Sequence, residues 1–197
     1  MKKRIFALFC TALLLAGCGS TVNDTEGADD QNVQQEETAK EEEMTAYLQG
    51  LPEEISQEAA VEEGFFTIAD GAVVGGQEAW DSFMAAAEQG EEASVIVCQY
   101  SLNGGAMLDY LVHQKEGGYL LVSDISRDGY EVEDREVYTT QKFEVLKIFE
   151  DFSLQEGGNT YDICVLTNEA ELDADTFRTY WTEMSTEAHA AYLLYVI

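Results

Sequence analysis

Positive charge is scarce in this sequence. Ten of its 197 residues are Lys or Arg, against 39 Asp and Glu, for a formal net charge of −29. Three of the ten lie at residues 2–4, so from residue 18 onward seven basic side chains face 39 acidic ones, a balance of −32. That balance excludes nucleic acid as a partner, because phosphate binding draws its affinity from Lys and Arg. It equally disfavours direct adsorption to an anionic leaflet. What it supplies is solubility, with some attraction for cations or basic partners.

Residues that carry chemistry are also sparse. Histidine occurs twice, as His113 and His189, too few for a zinc site without help from carboxylates. There is no CxxC pair. Gly-x-Ser-x-Gly, Ser-x-x-Lys and His-Glu-x-x-His are all absent. Gly75-Gly76 is not followed by the Lys-Ser/Thr of a phosphate loop. No cofactor is implied, and the expectation is a non-catalytic binding or interaction domain. The alternative from another class is a cell-envelope hydrolase using paired carboxylates, which needs two acids converging across a cleft. A two-lobed solute-binding subunit needs a much longer chain than this one.

A membrane-spanning run is missing too. The apolar stretch Ile5 to Ala16, broken only by Thr11, falls short of the about 20 apolar residues that cross a bilayer. It follows Lys2-Lys3-Arg4 and ends in Leu15-Ala16-Gly17-Cys18. A basic cluster, a short apolar core and small residues at the cut make a secretory signal. A cysteine directly after Ala16-Gly17 makes it resemble a bacterial lipoprotein signal, matching all four positions. The expectation is that residues 1–17 are removed and that Cys18 carries the lipid. The mature protein would then sit on the outer face of the cell membrane, with an unidentified envelope ligand or protein as partner. One acyl chain holds a protein only marginally; two or more hold stably, at about 0.8 kcal/mol per buried methylene.

With Cys10 in the leader and Cys18 lipidated, Cys98 and Cys164 remain. A disulfide is permitted outside the membrane. Both cysteines also fit small side chains buried in apolar strands, and the free, buried state is the reading adopted here.

Residues 18–50 are rich in Ser, Thr, Asn, Gln, Asp and Glu, and include Glu41-Glu42-Glu43. Such a segment is expected to be an unstructured, self-repelling tether reaching about 30 Å. Residues 51–197 are expected to form a single domain. Leu51-Pro52-Glu53-Glu54-Ile55 suits the start of a short helix. A strand over Phe65–Ile68 ends in the turn signal Asp70-Gly71. In Gln77–Gln89, Trp80, Phe83, Met84 and Ala87 fall at i, i+3, i+4 and i+7, one apolar helical face. A meander follows: Val95–Leu102, the two-residue hairpin signal Asn103-Gly104, Ala106–His113, Gly117-Gly118, then Tyr119–Ile125. A second hairpin joins Val137–Phe149 to Tyr161–Leu166. The alternation changes phase between Val145 and Leu146, which predicts a β-bulge. A helix from an Asp175 N-cap to Met184 and a closing strand over Tyr192–Ile197 complete the chain. Strands in runs, with two helices not interleaved one-for-one, predict an α+β fold built on an antiparallel sheet of about five to seven strands.

From Gly64 to Asn168 the chain resembles an uncharacterised family of small Gram-positive bacterial lipoproteins whose shared domain has no assigned function. The opening strand, the run Gly76-Gln77-Glu78-Ala79-Trp80-Asp81-Ser82-Phe83, the turn Gln99 to Gly105 and the run Asp124-Ile125-Ser126-Arg127-Asp128 carry the likeness. Gly105-Ala106 stands where the family's turn has Asp-Pro. The resemblance covers a little over half the chain and implies no activity.

Two candidate sites share one loop. Arg127 beside Asp128 could grip a carboxylate on a ligand, with an internal ion pair pinning the strand end as the competing reading. Asp124, Ser126, Asp128 and Gly129 match the first half of a calcium loop, but its twelfth position is Arg135 where a bidentate acid is needed. A looser metal site would use Asp124, Asp128 and Glu131, with Glu133 or Asp134 in reserve. A thiol–imidazole pair built from Cys98 or Cys164 with His113 is disfavoured by the apolar surroundings of both cysteines.

Overall fold

The computed structural model describes residues 28–101, 104–128, 136–155, 158–183 and 191–196. The chain divides into two units, residues 1–36 and 37–197. Of the first, the described part is residues 28–36, the helical beginning of α1 (Ala28–Gln49). All else below concerns the second.

The tether expected over residues 18–50 is therefore helical from Ala28. The physical reason lies near its end. Met44 and Leu48, one turn apart, are buried, and Leu51 packs beside them. Two such anchors give an otherwise polar helix a tertiary reason to form, which propensity alone does not supply. Lys142 pairs with Glu37 at 2.5 Å and Glu41 at 3.6 Å, and Lys40 with Glu92 at 3.0 Å. These pairs are partly exposed and add little beside the buried contacts.

The helix predicted at Leu51–Ile55 begins later, as α2 (Gln57–Glu62). Ser56 supplies the cap, its hydroxyl accepting the Ala59 N–H at 3.1 Å. Strand β1 (Phe66–Ala69) then turns through Asp70 and Gly71, both at positive φ, into β2 (Ala72–Gly75), a strand that the sequence reading did not include. Gly76, at φ 75°, opens α3 (Gln77–Glu88); a Cβ there would lie 2.0 Å from the Phe65 carbonyl oxygen. Helix α3 carries the chain across to β3 (Ala93–Tyr100), which lies parallel to β1.

The meander follows as β4 (Ala106–His113), β5 (Tyr119–Asp124) and β6 (Tyr138–Phe143). The turn after β3 is longer than two residues: the Ser101 N–H bonds to the Gly105 carbonyl. The single long strand expected over Val137–Phe149 is two. β6 ends at Phe143, and β7 (Val145–Phe152) belongs to a different sheet. Glu144 makes the transition, its N–H shared by the Thr167 carbonyl and the Asn168 side chain. The phase change near Val145 thus marks a strand crossing between sheets, and the register shift within β7 falls later, between Phe149 and Phe152.

Strand β8 (Tyr161–Thr167), helix α4 (Ala174–Glu183) and β9 (Ala191–Val196) finish the fold. Asp173, not Asp175, caps α4 by accepting the Thr176 N–H at 2.7 Å, and that bond holds its carboxyl below the usual range.

The architecture is α+β, as predicted, with more elements than predicted. Sheet A runs in the order β2-β1-β3-β4-β5-β6 and sheet B in the order β7-β8-β9. One face of sheet A lies under Met44, Leu48 and Ala60 from α1 and α2. Its other face packs Val95, Val97, Leu111 and Leu121 against Trp80 and Phe83 of α3 and against Cys164, Leu166 and Leu194 of sheet B. The far face of sheet B meets Phe177 of α4 through Ile163 and Val165. Strands covered on both faces read as continuous apolar runs, which is why Leu120-Leu121-Val122 shows no alternation.

Candidate functional site

Strand β5 ends at Asp124, and the chain folds back on itself at once. The Asp124 carboxylate accepts the Ser126 N–H through Oδ1 at 2.8 Å and the Arg127 guanidinium through Oδ2. Arg127 goes on to donate Nε to the Pro52 carbonyl at 2.8 Å and Nη2 to the carbonyls of Leu48 at 3.0 Å and Leu51 at 3.1 Å. Its side chain is 7% exposed and that of Asp124 is fully buried. The guanidinium therefore closes the carbonyl end of α1 and ties it to the end of β5.

Arg127 is thus spent inside the fold and does not point a free fork at solvent. Both Asp124 oxygens are engaged as well, so a cation there would have to displace the arginine. Asp128 is buried at the following turn, where its N–H bonds to the Ile125 carbonyl. Glu131, Glu133, Asp134, Gly129 and Arg135 lie outside the described residues. Among the described residues no three His, Cys, Asp or Glu side chains are grouped to hold a metal ion.

A cleft of roughly 590 Å³ opens beside this junction. It is lined by residues 53–56 and Ala59, by Gly104, Gly105 and Ala106, and by Arg127. Gly105 is required where it stands, since a Cβ there would sit 2.4 Å from the Arg127 carbonyl oxygen. The two acids in the wall, Glu53 and Glu54, are consecutive in one segment and exposed. They do not face each other across the opening as a carboxylate-pair hydrolase would need.

Cys98 and Cys164 are free and buried. They belong to different core clusters, Cys98 beneath α1 and Cys164 between the sheets. Burial pushes the Cys98 thiol up to about 11 and raises that of Cys164 as well, so neither is poised as a thiolate. His113 is buried with Nδ1 2.7 Å from the Glu91 carbonyl oxygen, which occupies it structurally. His189 lies outside the described residues.

A different group proves to be the perturbed one. Asp109, in the middle of β4, is buried, and its Oδ1 accepts both the Ser123 hydroxyl at 2.6 Å and the Tyr192 hydroxyl at 2.9 Å. Desolvation raises its pKa to about 6 against these two bonds. The sequence held a signal for it. An aspartate inside Ala106–His113, two residues before Leu111, falls on the strand face that points inward.

Comparison with known proteins gives no match: no family model, curated protein or solved structure is recognisably similar.

Proposed function

We propose that this chain is a lipoprotein, held on the outer face of the cell membrane by lipid on Cys18, whose folded domain makes a non-catalytic contact with a ligand or protein of the envelope. The observation that carries it is Leu15-Ala16-Gly17-Cys18 placed directly behind a basic cluster and a short apolar run. These residues lie outside the described part of the chain. Among the described residues no helix is long and apolar enough to cross a membrane.

The cleft at residues 53–59 and 104–106 supports the contact half of the proposal. Its acidic edge and the charge of −32 from residue 18 onward favour a basic group on the partner. The low reactivity expected of both thiols and the internal engagement of Arg127 support contact over catalysis. Metabolic labelling with palmitate tests the anchor chemically. Label on the wild-type chain and none on Cys18→Ser is the expected result; equal labelling of both would refute it.

A further inference from the structure

Asp109 stands where sheet A meets sheet B. Ser123 is its cross-strand neighbour on β5, whereas Tyr192 reaches it from β9 in the other sheet. The three side chains close a ring, with the Ser123 hydroxyl also 3.2 Å from Tyr192. Alongside, Gln99 of β3 donates to the Leu194 carbonyl at 2.5 Å, a second bond from sheet A to β9. Between these two bonds the contact of the sheets is apolar, and at the β6–β7 crossing Asn168 donates to the Lys142 carbonyl at 3.3 Å. We propose that Asp109 is a proton-dependent latch, holding the three-stranded sheet against the six-stranded one when its carboxyl is protonated and loosening it on ionisation.

The surroundings make the proton decisive. Among the described residues no Lys, Arg or His pairs with Asp109; Arg127 serves Asp124, which faces the other side of sheet A, and His113 is held by Glu91. The titratable groups that face Asp109 are anionic when charged. Tyr192 comes from β9, and Cys164 and Tyr195 line the same core from sheet B. Burial raises the pKa of all three, so they stay neutral. Cys98, on β3, belongs to the cluster on the other face of sheet A and stays neutral, and α3 offers Trp80 and Phe83. An ionised Asp109 therefore has two hydroxyl donors and no counter-charge, and a buried carboxylate in that position is costly. Opening the seam lets water in and removes the cost.

The direction follows from the raised pKa. A carboxyl titrating near 6 when buried and near 3.8 when exposed stabilises the closed seam fully below pH 3.8 and loses that stabilisation as pH rises through 6. Between pH 5 and pH 8 the opening equilibrium should rise about tenfold. Sheet B responds at β9 because β9 receives the Asp109 and Gln99 bonds, while sheet A keeps its own ladder of five strand pairs.

Amide hydrogen exchange on the full chain from pH 5 to pH 8, corrected for intrinsic rates, reads this directly. Protection in β8 and β9 should fall about tenfold over that range while β3 and β4 hold theirs. Asp109→Asn, neutral and still an acceptor, should flatten the dependence. Tyr192→Phe covers the case in which that variant does not fold: by deleting the inter-sheet bond, it should lower β9 protection already at pH 5. Flat protection of β9 in the wild type, or parallel loss in both sheets, overturns the latch. So does full pH 5 protection in Tyr192→Phe.

Discussion

The Arg127 guanidinium donates to the Leu48 carbonyl oxygen at 3.0 Å, across 79 residues of sequence. One donor thereby joins the last turn of α1 to the end of β5. The same side chain carries the buried pair with Asp124 and the bonds to Leu51 and Pro52. The run Ser126-Arg127-Asp128 thus serves first as a fastening, and the adjoining cleft takes its shape from it.

Removing Arg127 alone should be severe. Arg127→Ala leaves the buried Asp124 without its cation and takes the guanidinium from three carbonyls, of which Leu48 keeps the Leu51 N–H, and should lower stability by about 3–5 kcal/mol. Arg127→Lys should recover only part, because one ammonium cannot copy a fork that spans four acceptors. Replacing both residues, as Arg127→Met with Asp124→Leu, should cost less than Arg127→Ala. Denaturant unfolding of the three variants decides it, and a double variant that loses as much as Arg127→Ala or more would contradict the buried-pair reading.

Helix α1 offers a second check. If residues 37–50 are docked, Leu48→Ala should cost about 2–5 kcal/mol, as for any large-to-small change in a packed core. A tether would register no change at all in the same melting experiment.

Much of the fold was legible because its signals are local. Ala106–His113 and the strand at the end of the chain appear where apolar patterning puts them, and Trp80 and Phe83 bury the predicted face of α3. Other features depend on partners distant in sequence. Met44, Tyr47, Leu48 and Leu51 have helical spacing, but the acids around them read as a solvated tail until β4 and β5 are present to pack against. Nothing at Glu144 breaks a strand by itself; the change of sheet is decided by Thr167 and Asn168. Arg127 was visible as a candidate and its acceptors were not, because three of them are backbone carbonyls far back in the chain. Asp109 is one acid among 39, and only its place in an apolar strand sets it apart.

Divalent cations should leave the 124–128 turn indifferent. Arg127 already neutralises Asp124, and a ligand specific to the folded state would raise stability by about 2.7 kcal/mol at a hundred times its dissociation constant. Millimolar calcium should shift the melting temperature no more than magnesium at matched ionic strength. A calcium-selective rise of several degrees, abolished by Asp128→Ala, would restore a metal site.

Fractionation of cells expressing Cys18→Ser tests the lipid anchor. With the thiol gone, the chain should leave the membrane fraction for the medium, or persist as an unprocessed precursor of higher mass. Wild-type protein should stay with the membrane through high-salt washing and be released by detergent, because salt screens only the charges and not the acyl chains. Cys18→Ser protein of mature size that sediments with membranes as fully as the wild type would contradict the account.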